Sequence, residues 1–340
     1  MVIRMMPKSM RAGILILLLF GHGALFHSQA QESRGGGFQA IVEKKGGAKN
    51  AAETNHWSAS VVERTGKEVY RITRDVPFDV QFPAIHVSDV EGRAVVVQPL
   101  NGIVEFYDGR GGLVNTMTFS VTNDLDYERI LKCSVGAGRV AVLTSERDVD
   151  ARVIMCTIDG RELWRRTLKG TQAAEILLSA TGDVVVVGSY VFADGLQAST
   201  EMLDGEGRRL REMSGMFRYA DISHDSRRVA LAGKNIVTIE AIAEGVASRS
   251  YHTASGNHII TGIRYVREHL AVVVELVEFE NGIPQYRPSV IILDQNATQV
   301  AMKELLVVAP APATLAITRD TVILRSNSQS VTVEVEKINR

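Results

Sequence analysis

The chain has 340 residues, 45% hydrophobic and 23% charged, a composition that supplies a large globular core. Its 38 basic and 39 acidic residues leave a formal charge of −1 without any Lys/Arg block. That excludes nucleic acid as an expected partner, because phosphate binding needs a concentrated basic patch.

Residues 1–30 read as a secretory signal peptide, not as part of a fold. Arg4, Lys8 and Arg11 give a positive start, Ala12 to Phe20 an apolar run, and Ser28-Gln29-Ala30 a small-x-small cleavage site. The apolar run is shorter than the roughly 18 residues that a membrane span needs. Cleavage near Ala30 predicts a periplasmic or secreted protein with no membrane span in its mature form. Loss of the three basic residues leaves 35 basic against 39 acidic side chains, a net charge of −4. Residues 31–56, with Gly35-Gly36-Gly37 and Gly46-Gly47, read as a flexible linker. An ordered domain is expected over 57–340.

Within that domain a cassette returns about every 45 residues, a spacing that marks four-stranded units. The first copy holds Ile85-His86-Val87-Ser88, Ala94-Val95-Val96-Val97 and Phe106-Tyr107-Asp108. The second holds Ile130 to Ser134, Val140 to Leu143 and Cys156-Thr157-Ile158-Asp159-Gly160. The third holds Ile176 to Ser179, Val184 to Val187 and Met202-Leu203-Asp204-Gly205. Further copies start at Phe217, Ile259 and Thr314, and the one at Thr314 lacks its fourth strand. Valine quartets without polar alternation predict strands buried on both faces. The Asp/Gly turns supply the positive φ of tight hairpins. Ser88, Ser134, Ser179 and Ser223 recur after the first strand, which predicts hydrogen bonds closing a turn and no catalysis. Cys133 and Cys156 fall on the first and third strands of one unit. Two inter-strand spacings, about 9.5 Å, are too far for a disulfide, and the spacing of the pair fits no zinc pattern.

These residues resemble the β-propeller superfamily of PQQ-like and WD40-like repeats over roughly 58–338. Ile158-Asp159-Gly160-Arg161-Glu162-Leu163-Trp164 is similar to the Asp-x-x-x-Gly-x-x-x-Trp element of PQQ-type repeats. Only this copy carries the Trp; Val114 and Leu210 stand nearby in others, so the resemblance carries architecture and no cofactor. The expected fold is all-β, a single β-propeller of six four-stranded blades, with seven kept open. Ser60 to Ile72, a third-strand, turn, fourth-strand segment, is expected to complete the C-terminal blade, which leaves no open edge.

The resemblance implies that the second-to-third-strand loops and the links between blades share one binding face. On it, residues 189–196 and 278–287 are long and carry aromatic and acidic side chains. Tyr190, Phe192, Asp194, Phe279, Tyr286 and Arg287 are therefore the candidate binding residues. Asp79, Asp126, Tyr127, Arg218, Tyr219 and His258 line the segments entering first strands. No Asp-x-Asp-x-Asp-Gly loop or Gly-x-Ser-x-Gly elbow is present, and neither metal nor cofactor is expected. The expected function is an exported, monomeric, non-catalytic scaffold for a protein, peptide or glycan. The alternative is a lactonase-like hydrolase or lyase using polar residues at a central channel. Asn296-Ala297-Thr298 also fits a glycosylation sequon.

Overall fold

The computed structural model describes residues 37–45, 54–77, 81–120, 128–146, 150–169, 171–192, 196–215, 217–242, 246–253, 256–318, 320–326 and 329–335. Among these, seven antiparallel sheets follow one another along the chain, each built from consecutive strands. Sheet 1 is β1 (Phe38–Lys45), β2 (Thr54–Glu63) and β3 (Glu68–Pro77). Sheet 2 is β4 (Ala84–Val87), β5 (Ala94–Gln98), β6 (Ile103–Tyr107) and β7 (Leu113–Thr118). Sheet 3 is β8 (Glu128–Val135), β9 (Arg139–Glu146), β10 (Asp150–Thr157) and β11 (Glu162–Leu168). Sheet 4 is β12 (Thr171–Leu178), β13 (Val184–Phe192), β14 (Leu196–Asp204) and β15 (Arg209–Ser214). Sheet 5 is β16 (Tyr219–Ile222), β17 (Arg228–Ala232), β18 (Ile236–Ala241) and β19 (Arg249–His252). Sheet 6 is β20 (His258–Val266), β21 (His269–Glu280), β22 (Ile283–Leu293) and β23 (Gln299–Glu304). Sheet 7 is β24 (Thr314–Thr318), β25 (Thr321–Ser326) and β26 (Gln329–Glu334).

Two expectations are corrected here. Residues 38–45, read as linker, form β1, and Phe38, Ala40 and Val42 alternate inward against sheet 2. The segment Ser60 to Ile72 does not complete the C-terminal sheet. It supplies β2 and β3, which pair with each other and with β1, whereas among the described residues β26 pairs with β25 alone. Six blades were expected, with seven kept open; among the described residues there are seven sheets, the first and last of three strands.

Consecutive sheets are held by buried apolar clusters, six of them among the described residues, each between neighbours in the series. The valine quartets explain how one strand serves two clusters. Ala94 and Val96 of β5 pack toward sheet 1, while Val95 and Val97 pack toward sheet 3. Val185 and Val187 of β13 face sheet 3, and Val184 and Val186 face sheet 5. A strand buried on both sides needs apolar residues at every position, so polar alternation disappears.

Polar tips tie the same sheets together. The third residue of four outer strands, β3, β7, β11 and β15, reaches a backbone carbonyl at or beside a turn of the next sheet. Tyr70 Oη donates to Gly92 O (2.7 Å), Asn115 Nδ2 to Gly160 O (3.0 Å), Trp164 Nε1 to Gly205 O (2.8 Å) and Arg211 Nη1 to Ala241 O (3.3 Å). The equivalents of Trp164 are thus Tyr70, Asn115 and Arg211, not Val114 and Leu210. What recurs is a side chain with a hydrogen-bonding end, whose identity varies from copy to copy.

The serines do close turns. Ser179 Oγ accepts from the Asp183 and Val184 backbone N–H groups (3.0 and 3.1 Å), and Ser223 Oγ accepts from Arg228 N (2.9 Å). Two of them also bridge sheets: Ser88 Oγ donates to Gly136 O (3.2 Å), and Ser134 Oγ accepts from Leu178 N (2.9 Å). Cys133 and Cys156 are free thiols on β8 and β10, with β9 between them. Burial pushes the Cys156 thiol up to about 12, so it stays protonated near neutral pH.

Candidate functional site

Antiparallel topology gives each sheet two ends. One end carries the tight turns between first and second and between third and fourth strands. The other carries the second-to-third-strand hairpins and the links between sheets. At this second end sheet 5 is low. Its β17 has 5 residues, whereas β13 of sheet 4 has 9 and β21 of sheet 6 has 12, all counted from equivalent turns. At about 3.3 Å per residue the two neighbours overtop sheet 5 by roughly 13 and 23 Å. The result is a notch above sheet 5 with a hairpin on either side.

The described residues 189–192 and 196, and residues 278–280 and 283–287, are therefore strand, not loop. The taller hairpin closes through Asn281 (φ 51°) and Gly282 (φ 80°), the two left-handed residues of a tight Asn-Gly turn. Register fixes which side chains face the notch. On β13, Tyr190 shares parity with Val184 and Val186, which pack toward sheet 5. On sheet 6, Val272, Val274 and Ile291 face sheet 5, and the same parity places His258, Leu276 and Arg287 in one cross-strand row above them. Glu278 stands one row higher and pairs with Arg287 at 3.0 Å. The floor is Arg218 and Tyr219, both exposed, with the Gly233-Lys234-Asn235 turn beside them.

The candidate residues divide accordingly. Tyr190 and Arg287 belong to the two walls. Phe279 and Tyr286 lie on the opposite face of their hairpin, the one that runs on toward sheet 7. Phe279 is 74% exposed there, and Tyr286 exchanges backbone hydrogen bonds with Ala309 (2.8 and 3.1 Å). Asp194 and the Phe192 side chain lie outside the described residues, as do Asp79, Asp126 and Tyr127.

The floor chemistry was half legible in sequence. Arg218 has no ion-pair partner among the described residues. Burial raises the Tyr190 phenol, with Glu175 adding to the rise and Arg218 opposing it. Burial also raises Tyr219, against Arg218, with Glu275 and Glu175 adding to the rise. The Arg218 guanidinium thus stands beside two phenols that burial keeps neutral. Glu175 is already paired with Lys132 of the neighbouring sheet.

Sequence reading missed Glu275. It follows the apolar run Leu270 to Val274, and its carboxyl is fully buried. Oε1 accepts from Ala313 N (2.6 Å), and Oε2 has no hydrogen bond of good geometry among the described residues, with the Thr261 hydroxyl as its nearby polar neighbour. Burial raises its pKa, more than Ala313 N–H and the Thr261 hydroxyl lower it. A carboxyl raised in the fold makes the unfolded chain the weaker proton binder above pH 4.5, so stability falls as pH rises through the interval up to the folded value. Glu275→Gln keeps the acceptor for Ala313 and removes the charge. We expect it to be more stable than the parent at about pH 8, by urea unfolding, with the gap closing toward about pH 5. A gap that does not change with pH would show that Glu275 is ionised in the fold.

Among the described residues no three His, Cys, Asp or Glu side chains gather as a metal site, and no helix is long and apolar enough to cross a membrane. No protein-family model matches the sequence, and no curated protein does. Solved structures match. A chain of the mitotic checkpoint complex aligns over 89% of this chain and 92% of its own, at TM-score 0.52 and 11% identity. KlHsv2 with its loop 6CD replaced by a Gly-Ser linker aligns over 87% of each chain, at TM-score 0.55 and 9% identity. Serial four-stranded antiparallel sheets with cores between neighbours, matched end to end by such structures, decide the fold. It is a β-propeller fold. Identity near 10% carries that architecture and nothing finer. Sheets 2 to 6 are then whole four-stranded blades, and the notch lies above sheet 5.

Proposed function

We propose that this propeller is an exported binding scaffold that receives a segment of a protein partner in the notch above sheet 5. The observation that carries the reading is the height difference: two hairpins overtop one short sheet and leave exposed Arg218 and Tyr219 between them. Concave sites with aromatic faces and an uncommitted guanidinium are well suited to extended peptide segments, because stacking and a charge-assisted bond add without a deep pocket. Phe279 and Ile283, 74% and 55% exposed at the tall hairpin, extend the apolar contact beyond the notch. The leader over 1–30 supports export, with the mature chain acting as a monomer in the periplasm or outside the cell.

The test is site-specific photocrosslinking in the native cells. A photoreactive residue at position 219 and one at 279 should trap the same protein, and one at Val114, exposed on β7, should not. Arg218→Ala should weaken that partner about tenfold or more, the scale of one charge-assisted hydrogen bond. Equal trapping from 114 and 219 would remove the notch from consideration. N-terminal sequencing of the mature chain should begin at Gln31.

A further inference from the structure

A second concave feature lies at the opposite end of the sheets, among the tight turns. The groove between sheets 4 and 5 opens there into a cleft of about 670 Å³. That volume falls in the range of small-molecule sites, about 300–1,000 Å³. Leu210, Ile242 and Val246 form apolar walls, and Arg209, Arg227 and Arg228 are cationic.

The cleft has a packing origin. Among the described residues the apolar cluster between sheets 4 and 5 holds 6 buried residues, fewer than any other in the series; the cluster between sheets 1 and 2 holds 12. Leu210 and Ile242 are partly buried members of that thin cluster, so the cleft is the place where it opens to solvent. Val246, 52% exposed, stands at its rim.

The arginines are not equivalent. Arg209 is paired with Glu212 at 2.6 Å, and Arg211, just inside, with Glu240 at 3.0 Å. Arg228 shares the parity of Ala230 and Ala232 on β17, which face sheet 6, and its side chain turns away. Arg227 is exposed and in no ion pair among the described residues. The carboxylate of Asp225 beside it accepts from Ser223 Oγ (2.7 Å) and from the Arg227 backbone N–H (3.1 Å). One uncommitted guanidinium thus stands over an apolar cleft.

The geometry points to a binding site for a small amphiphilic monocarboxylate, its apolar body against Leu210, Ile242 and Val246 and its carboxylate on Arg227. A guanidinium fork matches a carboxylate in a bidentate way. Asp225 beside Arg227 and Glu212 beside Arg209 would repel the further charges of a polyanion, so a single negative charge fits best. The site is independent of the notch, at the other end of the sheets.

Ligand-observed NMR on the intact protein tests this with three probes of one chain length: octanoate, octanol and octylammonium. Octanoate should bind at least tenfold more tightly than the other two. Arg227→Gln, at an exposed turn where the side chain makes no hydrogen bond or ion pair among the described residues, should weaken octanoate about tenfold or more and leave octanol unchanged. Ile242→Asp should weaken both. Equal binding of all three probes would reduce the cleft to an apolar trap and overturn the proposal. So would an Arg227→Gln protein that holds octanoate normally. Binding to phospholipid vesicles without octanoate binding would assign this face to a membrane surface and overturn it as well.

Discussion

Replacing Trp57 with Ala will cost about 3–5 kcal/mol of stability, the range for deleting a buried large aromatic side chain. Trp57 lies on β2, fully buried, with Ala59, Val61 and Ile72 of its own sheet and Ile85, Val87 and Val96 of sheet 2 around it. Its ring is the largest side chain in the first inter-sheet cluster, and its Nε1 has no hydrogen-bond partner to replace. The loss is therefore one of packing alone. Ile41→Ala on β1, where the side chain is 44% exposed, serves as the control and should cost well under about 1 kcal/mol. Urea unfolding followed by far-ultraviolet circular dichroism reads both without relying on tryptophan emission. A Trp57→Ala protein within about 0.5 kcal/mol of the parent would show that sheet 1 is not part of the cooperative fold.

That result bears on what the sequence could reveal. The repeat was legible because every copy needs apolar residues facing two neighbours. This requirement writes unbroken valine-rich runs into the chain at fixed spacing, such as Ala94 to Val97 and Val184 to Val187. β1 escaped because its inward positions are Phe38, Ala40 and Val42, a weak alternation set between glycine runs. Composition averages over such a strand, and only its partner β2 gives it meaning. The placing of Ser60 to Ile72 failed for a related reason. A third-to-fourth-strand hairpin looks alike whichever sheet it joins, and pairing with β1 is a non-local fact.

The site shows the same division. Extra length at 189–196 and 278–287 is visible in sequence, and Asn281-Gly282 marks a hairpin tip for anyone weighing turn types. What raises those hairpins into walls is the shortness of β16 to β19 between them, which has meaning only by comparison across three sheets. Arg218 and Tyr219 were identifiable as residues entering a first strand. Glu275 was not, because nothing in its own segment distinguishes it from the exposed Glu278 and Glu280 of the same strand; Ala313 is 38 residues away.

Gly160→Ala should be a strongly damaging single-methyl change, at about 2–5 kcal/mol, because two effects add. Gly160 has φ +80°, where an L side chain costs about 1–2 kcal/mol. Its new Cβ would also fall 2.5 Å from Phe106 Cδ2, 2.8 Å from Cε2 and 2.9 Å from Asn115 Nδ2. Phe106 is fully buried in the cluster between sheets 2 and 3 and has nowhere to move, so overpacking adds about 1–3 kcal/mol. The Asn115 bond to Gly160 O, one of the ties between sheets, would be disturbed as well. Gly66 separates the two effects. It has φ +85° and nothing within 4 Å of where an added methyl would stand, so Gly66→Ala measures backbone strain alone. The excess of Gly160→Ala over Gly66→Ala then reports contact between neighbouring sheets, and Phe106→Leu in the Gly160→Ala background should recover part of it by making room. Equal losses at the two glycines, or no recovery, would mean that sheets 2 and 3 are not packed together at this turn.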